Sequence, residues 1–372
     1  MYLNKLKFPV ALLLLLPLLI SCSFSPVAAQ DRGFLNLHLE FLSEYQLPKQ
    51  DFQGTAVGGL SGITYDRQLD RFYAISDDRS NLAPARFYTL NLSLEENKLA
   101  QVAIEKVTFL KDEANNSYAA NTIDPEGIAL SPAGSVFISS EGTDQSAAFV
   151  QDYNLETGDK QQSIPIPQRY LPKAGQGIQP NLGFESLAIA ADGNTKSDPY
   201  RIFTATESAL TQDINPDNPN QPIPIRLLHY LITDITPPLL ISENLYQLDP
   251  APKGTIYHGL TELVALPERG FFLSLERSYG LLGASAKIYQ ITTGTATDTS
   301  IIPSLRTLSP SFPSIRKKLV LDLETLGIKL ENLEGMALGA RLNDGSQSLI
   351  LVSDDNFSPE QTTQFLLFSL KI

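Results

Sequence analysis

Carboxylates recur in this chain at the ends of short apolar runs, and their spacing is the first sign of chemistry. Glu126, Glu185, Glu262 and Glu334 open such runs, with Ser61 in the corresponding first place. Asp78, Glu141, Glu207, Glu276 and Asp355 close the runs that follow, with Asp77 and Asp354 adjacent. If each pair of runs is an antiparallel hairpin, the start of one strand and the end of the next share one end. All of these acids then gather in one place. Like charges so gathered repel unless a bound cation, raised pKa values, or backbone N–H groups and arginines compensate them. Oxygen ligands without histidine or cysteine suit Ca²⁺, with Mg²⁺ as the alternative, rather than zinc. Asp78-Arg79-Ser80 and Glu276-Arg277-Ser278 match, and each sets a cation beside an acid. The competing reading makes every one of these acids a fastener of backbone amides that serves folding alone.

The elements that must position these residues form an internal repeat. GLSGITY (59–65) pairs with FYAISDD (72–78), PEGIAL (125–130) with VFISSE (136–141), and FESLAI (184–189) with IFTATE (202–207). LTELVAL (260–266) pairs with FFLSLE (271–276), and LEGMAL (333–338) with LILVSDD (349–355). Further strand-like runs lie between the hairpins, among them RFYTLNL (86–92), IRLLHYLI (225–232) and KLVLDL (318–323). Their β-branched and aromatic residues, bounded by Pro, Gly, Asn and Asp, are those of strands. Four strands per repeat arranged in a ring make a β-propeller, whose innermost strands line a central channel. The expected fold is therefore all-β, a propeller of five four-stranded blades, or six if a blade with a degraded motif is present. The motif positions 61, 126, 185, 262 and 334 are more widely spaced than the ~40–50 residues of an ordinary blade, so long loops are expected. The fifth repeat ends one strand short, and FLNLHLEFLSEYQL (34–47) is the spare that would close the ring and remove two sheet edges.

Composition narrows the function. The 372-residue chain carries a formal net charge of −13, which becomes more negative once Lys5 and Lys7 leave with the leader. No basic cluster suits a nucleic acid. Residues 1–29 read as an export leader, with Lys5 and Lys7 before an apolar run from Val10 to Ile20 that is too short to span a membrane comfortably. Leu19-Ile20-Ser21-Cys22 resembles a lipobox, and Val27-Ala28-Ala29 an ordinary cleavage site. Cys22 is the only cysteine and the candidate lipidation site, so any membrane contact is expected through that anchor. The domain, residues 31–372, then has no disulfide, thiolate metal site or cysteine nucleophile. Of the three histidines, His258 alone stands at the channel end of a hairpin. No G-x-S-x-G elbow or Gly-rich phosphate loop occurs.

In order and wording the motifs resemble the phytase-like domain family, named for an esterase-like activity of phytase. GGLSGITYD with FYAISDDR, DPEGIAL with ISSEG, GFESLAI with TATES, GLTELVAL with SLERS, and NLEGMAL with LVSDDNF carry the likeness. Asp124-Pro125-Glu126 is the nearest text to the Asp-Asp-Pro motif of β-propeller phytases. The resemblance implies an exported envelope protein that hydrolyses phosphate esters or other esters with the help of Ca²⁺. On that reading Glu126, Glu185, Glu262 and Glu334 are the catalytic carboxylates. Asp78, Glu141, Glu207, Glu276 and Asp355 are the metal ligands, and Arg79 and Arg277 bind substrate. The alternative is a non-enzymatic envelope propeller that binds a cation, glycan or protein on its acidic face; a lactonase-type propeller is a third reading.

Overall fold

Every repeated hairpin forms, and each supplies the two innermost strands of a blade. In the computed structural model, which describes residues 33–372 apart from 192, 194, 218–220, 282 and 310, five sheets have four strands each. The first blade runs Leu60–Asp66, Arg71–Ser76, Arg86–Glu95 and Lys98–Phe109, and the second Pro125–Leu130, Ser135–Ser140, Phe149–Asn154 and Lys160–Ser163. The third runs Phe184–Ala191, Tyr200–Thr206, Ile223–Ile232 and Leu239–Leu248, and the fourth Thr255–Ala265, Phe271–Gly280, Gly283–Thr292 and Arg316–Asp322. Asn332–Arg341, Gln347–Asp354 and Thr363–Lys371 make the fifth, whose outermost strand is His38–Leu47. The innermost strands touch in sequence around the ring, and the last meets the first, so the propeller has five blades. Long loops account for the wide motif spacing. The leader and Cys22 lie outside the described residues.

Closure is by the N-terminal strand, which pairs antiparallel with Thr363–Lys371 from His38↔Lys371 to Leu47↔Thr363. Apolar side chains fill the space between blades. Ile75 and Phe87 of the first pack in one cluster with Ile128 and Ile138 of the second. Phe137 joins Phe184 across the next interface, and Phe203 meets Phe272 across the third at 4.5 Å between ring centres. Leu273 with Met336, and Ile350 with Ile63, fill the last two. Inner strands are covered on both faces, which is why Ser135–Ser140 and Gln347–Asp354 are buried along their whole length.

A bulge interrupts the innermost strand of every blade at the same place. The register shifts between Leu60 and Gly62, Pro125 and Ile128, Phe184 and Ser186, Leu260 and Glu262, and Leu333 and Gly335. Bulges re-aim side chains. The residues they single out are Ser61, Glu126, Glu185, Thr261 and Glu334. On the second strand the residue just past the paired one is Asp77, Glu141, Glu207, Arg277 or Asp354, each set against Gly59, Asp124, Gly183, Gly259 or Asn332.

Candidate functional site

Apart from Ser61 and Thr261, these two sets of residues meet at one end of the channel. Asp77, Asp124, Glu126, Glu141, Glu185, Glu207, Glu334 and Asp354 line a cavity of about 590 Å³ there, together with Arg79 and Arg277. Two glycines make room for them. Gly59 takes a φ of 60°, and a Cβ on it would strike the Asp77 carboxylate; one on Gly259 would overlap the side chain of Glu207. Oxygens of Asp124, Glu126 and Glu141 lie within 4.8 Å of one another, as do those of Glu141, Glu185 and Glu207. Clustered acidic residues able to hold a metal are thus present, with Glu141 common to both groups.

Two arginines compensate part of the charge. Arg79 grips Asp124 with two nitrogens, each at 2.7 Å, and reaches Asn181 Oδ1 at 2.5 Å. Arg277 donates to Glu334 Oε1 at 2.6 Å and stands 3.4 Å from Glu207 Oε1. Burial and mutual repulsion raise most of the mouth's acids above the usual carboxylate range. Burial, then the charges of Glu207 and Asp124, push Glu141 up to about 8, against the Gly183 N–H and Arg79. Burial takes Glu334 to about 8 although Arg277 opposes it, and Asp354 to about 6 against the Asn356 N–H. Glu126, Glu185 and Asp77 are raised well above the usual carboxylate range by burial and by their acidic neighbours. Asp77 Oδ1 has no hydrogen-bond partner among the described residues.

Glu126, Glu141, Glu185, Glu207, Glu334, Arg79 and Arg277 therefore come together as the sequence suggested. Asp78, Glu262, Glu276 and Asp355 do not join them, because each lies one residue away from a mouth position and a single step along a strand reverses the side chain. Asp78 accepts the Asn81, Leu82 and Ala83 amides and Arg86, which outweigh its burial and hold it below the usual carboxylate range. Asp355 takes the Gly59 and Phe357 amides and so ties the fifth blade to the first. Glu276 accepts the Tyr246 hydroxyl at 2.6 Å and pairs with Lys317. Glu262 accepts the amides of Leu187 and Leu263 at 3.2 and 2.9 Å. The match between Asp78-Arg79-Ser80 and Glu276-Arg277-Ser278 does not survive in register, since Arg277 is level with Asp77. In the fourth blade the mouth receives Arg277 where the other blades offer an acid, while Thr261 and Ser61, at the bulges of the fourth and first blades, turn their hydroxyls to the carbonyls of Leu275 and Glu126. His258 is held by Ser278 Oγ and the Asp249 carbonyl, each at 2.7 Å.

Asp124, Asn181 and Asn332 are additional mouth residues. Asp124 entered the sequence reading only through Asp124-Pro125-Glu126 and was given no role there; it stands where three other blades have glycine. The fastening role is testable at Glu262. Glu262→Met should lower the stability of the protein by about 1–3 kcal/mol for each buried amide left without an acceptor. Thermal unfolding with and without Ca²⁺ checks this, because a fastener's loss leaves any cation response unchanged.

A family described as Phytase-like: Esterase-like activity of phytase matches residues 55–357. No curated protein matches the chain. Similar solved structures include a putative oxidoreductase (glucose dehydrogenase) from Thermus thermophilus, 12% identical, covering 89% of this chain and 99% of that one with a TM-score of 0.39. The catalytic domain of an α-L-arabinofuranosidase from Coprinopsis cinerea is 10% identical, with 88% and 95% covered and a TM-score of 0.42. An α-L-arabinanase from Penicillium chrysogenum is 12% identical, with 84% and 80% covered and a TM-score of 0.42.

Proposed function

The chain belongs to the phytase-like family, and we propose that it is an exported ester hydrolase whose acidic mouth works with a bound divalent cation, Ca²⁺ first and Mg²⁺ as the alternative. The observation that carries this reading is the pair of three-carboxylate groups sharing Glu141. Their donors are all oxygen, which suits a hard cation, and they are buried and mutually repelling. Among the described residues Glu207 Oε1 has only the Arg277 guanidinium, at 3.4 Å, to satisfy it. Buried charge that costs stability and sits in a cleft is characteristic of a functional site.

In this reading Asp124, Glu126, Glu141, Glu185 and Glu207 hold the cation. A cation bound there supplies polarisation of a carbonyl or phosphoryl oxygen and an acidified water. Arg79, whose side chain is 40% exposed at the rim, meets an anionic group of the substrate. Glu334 belongs to neither three-carboxylate group and keeps its proton up to about pH 8. It protonates the leaving alkoxide, while Arg277 holds it in position. The leader directs export, and Cys22 anchors the protein to a membrane.

The test pairs binding with turnover. Ca²⁺ at a hundredfold excess over its dissociation constant should stabilise the protein by ~2.7 kcal/mol, and Glu185→Gln with Glu207→Gln should remove that response while stabilising the cation-free form. A screen of phosphomonoesters, carboxyl esters and lactones should show hydrolysis that chelator and the double variant both abolish. Cation binding without hydrolysis of any of these overturns the enzymatic reading and leaves a binding propeller.

A further inference from the structure

A second cavity, of about 1010 Å³, opens beside the mouth and shares Arg79, Glu141 and Asn181 with it. It lies at the upper end of the ~300–1,000 Å³ usual for small-molecule sites. Its walls are unlike those of the mouth: they come mainly from the loops around residues 142–148 and 172–181, and uncharged amides and hydroxyls outnumber charged side chains in them. Four of the amides are each tied by one hydrogen bond, and their other half has no partner among the described residues. Asn121 accepts from Asn81 at 3.0 Å and Asn181 from Arg79, so both retain their Nδ2 donors. Gln179 donates to the Ala209 carbonyl at 2.7 Å and Gln176 to that of Gln168 at 3.5 Å, so both retain their Oε1 acceptors. Asn121 and Asn181 stand at φ of 60° and 57°, a left-handed conformation that asparagine tolerates and that fixes where their side chains start.

Oriented donors and acceptors side by side are what adjacent hydroxyl groups need, since each hydroxyl both gives and takes a hydrogen bond. The groove carries little net charge, since Arg79 is already paired with Asp124, Glu141 is pushed up to about 8, and Lys173 shares the lining with Asp144, so a multiply charged ligand finds no strong field to hold it. We propose that this groove binds an uncharged polyhydroxylated group, a sugar or polyol, as the alcohol half of the ester whose bond lies at Arg79 and Glu141. The proposal rests on the mouth as the place of cleavage, but its test does not require turnover.

Saturation-transfer NMR on the cation-free protein, with glucose, galactose, xylose and myo-inositol as probes, should show transfer to at least one of them. Asn121→Gly together with Gln176→Ala should weaken that binding at least tenfold without lowering the melting temperature, glycine being at ease at the Asn121 backbone angle. Transfer to none of the four, binding indifferent to the groove variant, or binding of inositol hexakisphosphate alone would overturn the proposal. Free sugars carry no ester. Intact sugar binding with no hydrolysis therefore counts against the mouth, and hydrolysis without sugar binding counts against the groove.

Discussion

Deleting residues 34–47 should leave a protein that no longer unfolds as a soluble, cooperative domain. The segment forms the outer strand of the fifth blade and pairs with Thr363–Lys371 along its length. It buries Leu39 and Leu47 and packs Phe41, Leu42 and Tyr45 against the clusters that join the fifth blade to the fourth and first. At roughly 1.5–3 kcal/mol for each large apolar side chain fully buried, the loss is on the order of 10 kcal/mol, comparable with the ~5–15 kcal/mol that holds a domain folded. Its removal also bares the edge of Thr363–Lys371 to other chains. Light scattering and calorimetry read the outcome. A truncated protein that stays monomeric and melts within a few degrees of the parent would show that the seam contributes little.

The cation-free protein should lose stability as pH rises from about 4.5 to about 8. Glu141 and Glu334 titrate near 8 in the folded chain, whereas in an unfolded chain a glutamate titrates near 4.3. Between those values the folded state holds protons that the unfolded state has released, so raising the pH favours unfolding. Below the window both states are protonated, and above it both are ionised, so these two groups add no further slope. Asp354, raised to about 6, contributes over the lower part of the range. Each unit of difference is worth about 1.4 kcal/mol, and because the mouth's acids interact they titrate together, so the fall is spread across the window. Ca²⁺ should flatten the slope and release protons as it binds, seen by calorimetry in buffers of different ionisation enthalpy. A melting temperature that is flat from pH 5 to pH 8 without cation would mean that the mouth's charges are compensated in some other way.

The propeller was legible because its repeat unit is local. An apolar hairpin with an acid at each end shows in the sequence whatever surrounds it, and the unpaired run 34–47 against a short last repeat pointed to the closure. The site was legible only to within one residue. Text alignment set Glu262 beside Glu185 and Glu276 beside Glu207, but the bulge after Leu260 puts Thr261, and not Glu262, at the place that Glu185 holds in its own blade. Nothing in the letters marks which residue of a bulge is the unpaired one, because that is decided by how the innermost strand packs against its neighbours. Asp78 and Asp355 failed to reach the mouth for a related reason. Each follows another aspartate, and the adjacent pairs Asp77-Asp78 and Asp354-Asp355 give the sequence no way to say which member turns inward. The groove was invisible, since its amides come from irregular loops whose conformation no periodicity encodes.

The apolar clusters have a consequence for how the molecule can come apart. Each spans two blades, so no blade owns a core and none is a folding unit by itself. In a linear array of repeats the terminal units have one neighbour and fray first. A closed ring has no terminal units, and any blade that leaves must break two interfaces at once. The exception is the seam in the fifth blade, where the partners are joined by hydrogen bonds between strands from opposite ends of the domain. Opening there turns the ring into an array with two ends and lets the remaining interfaces fail one at a time. Low-energy openings should therefore start at the seam, on the blade that also carries Glu334 and Asp354, and the mouth would lose that side before the rest of the molecule moved.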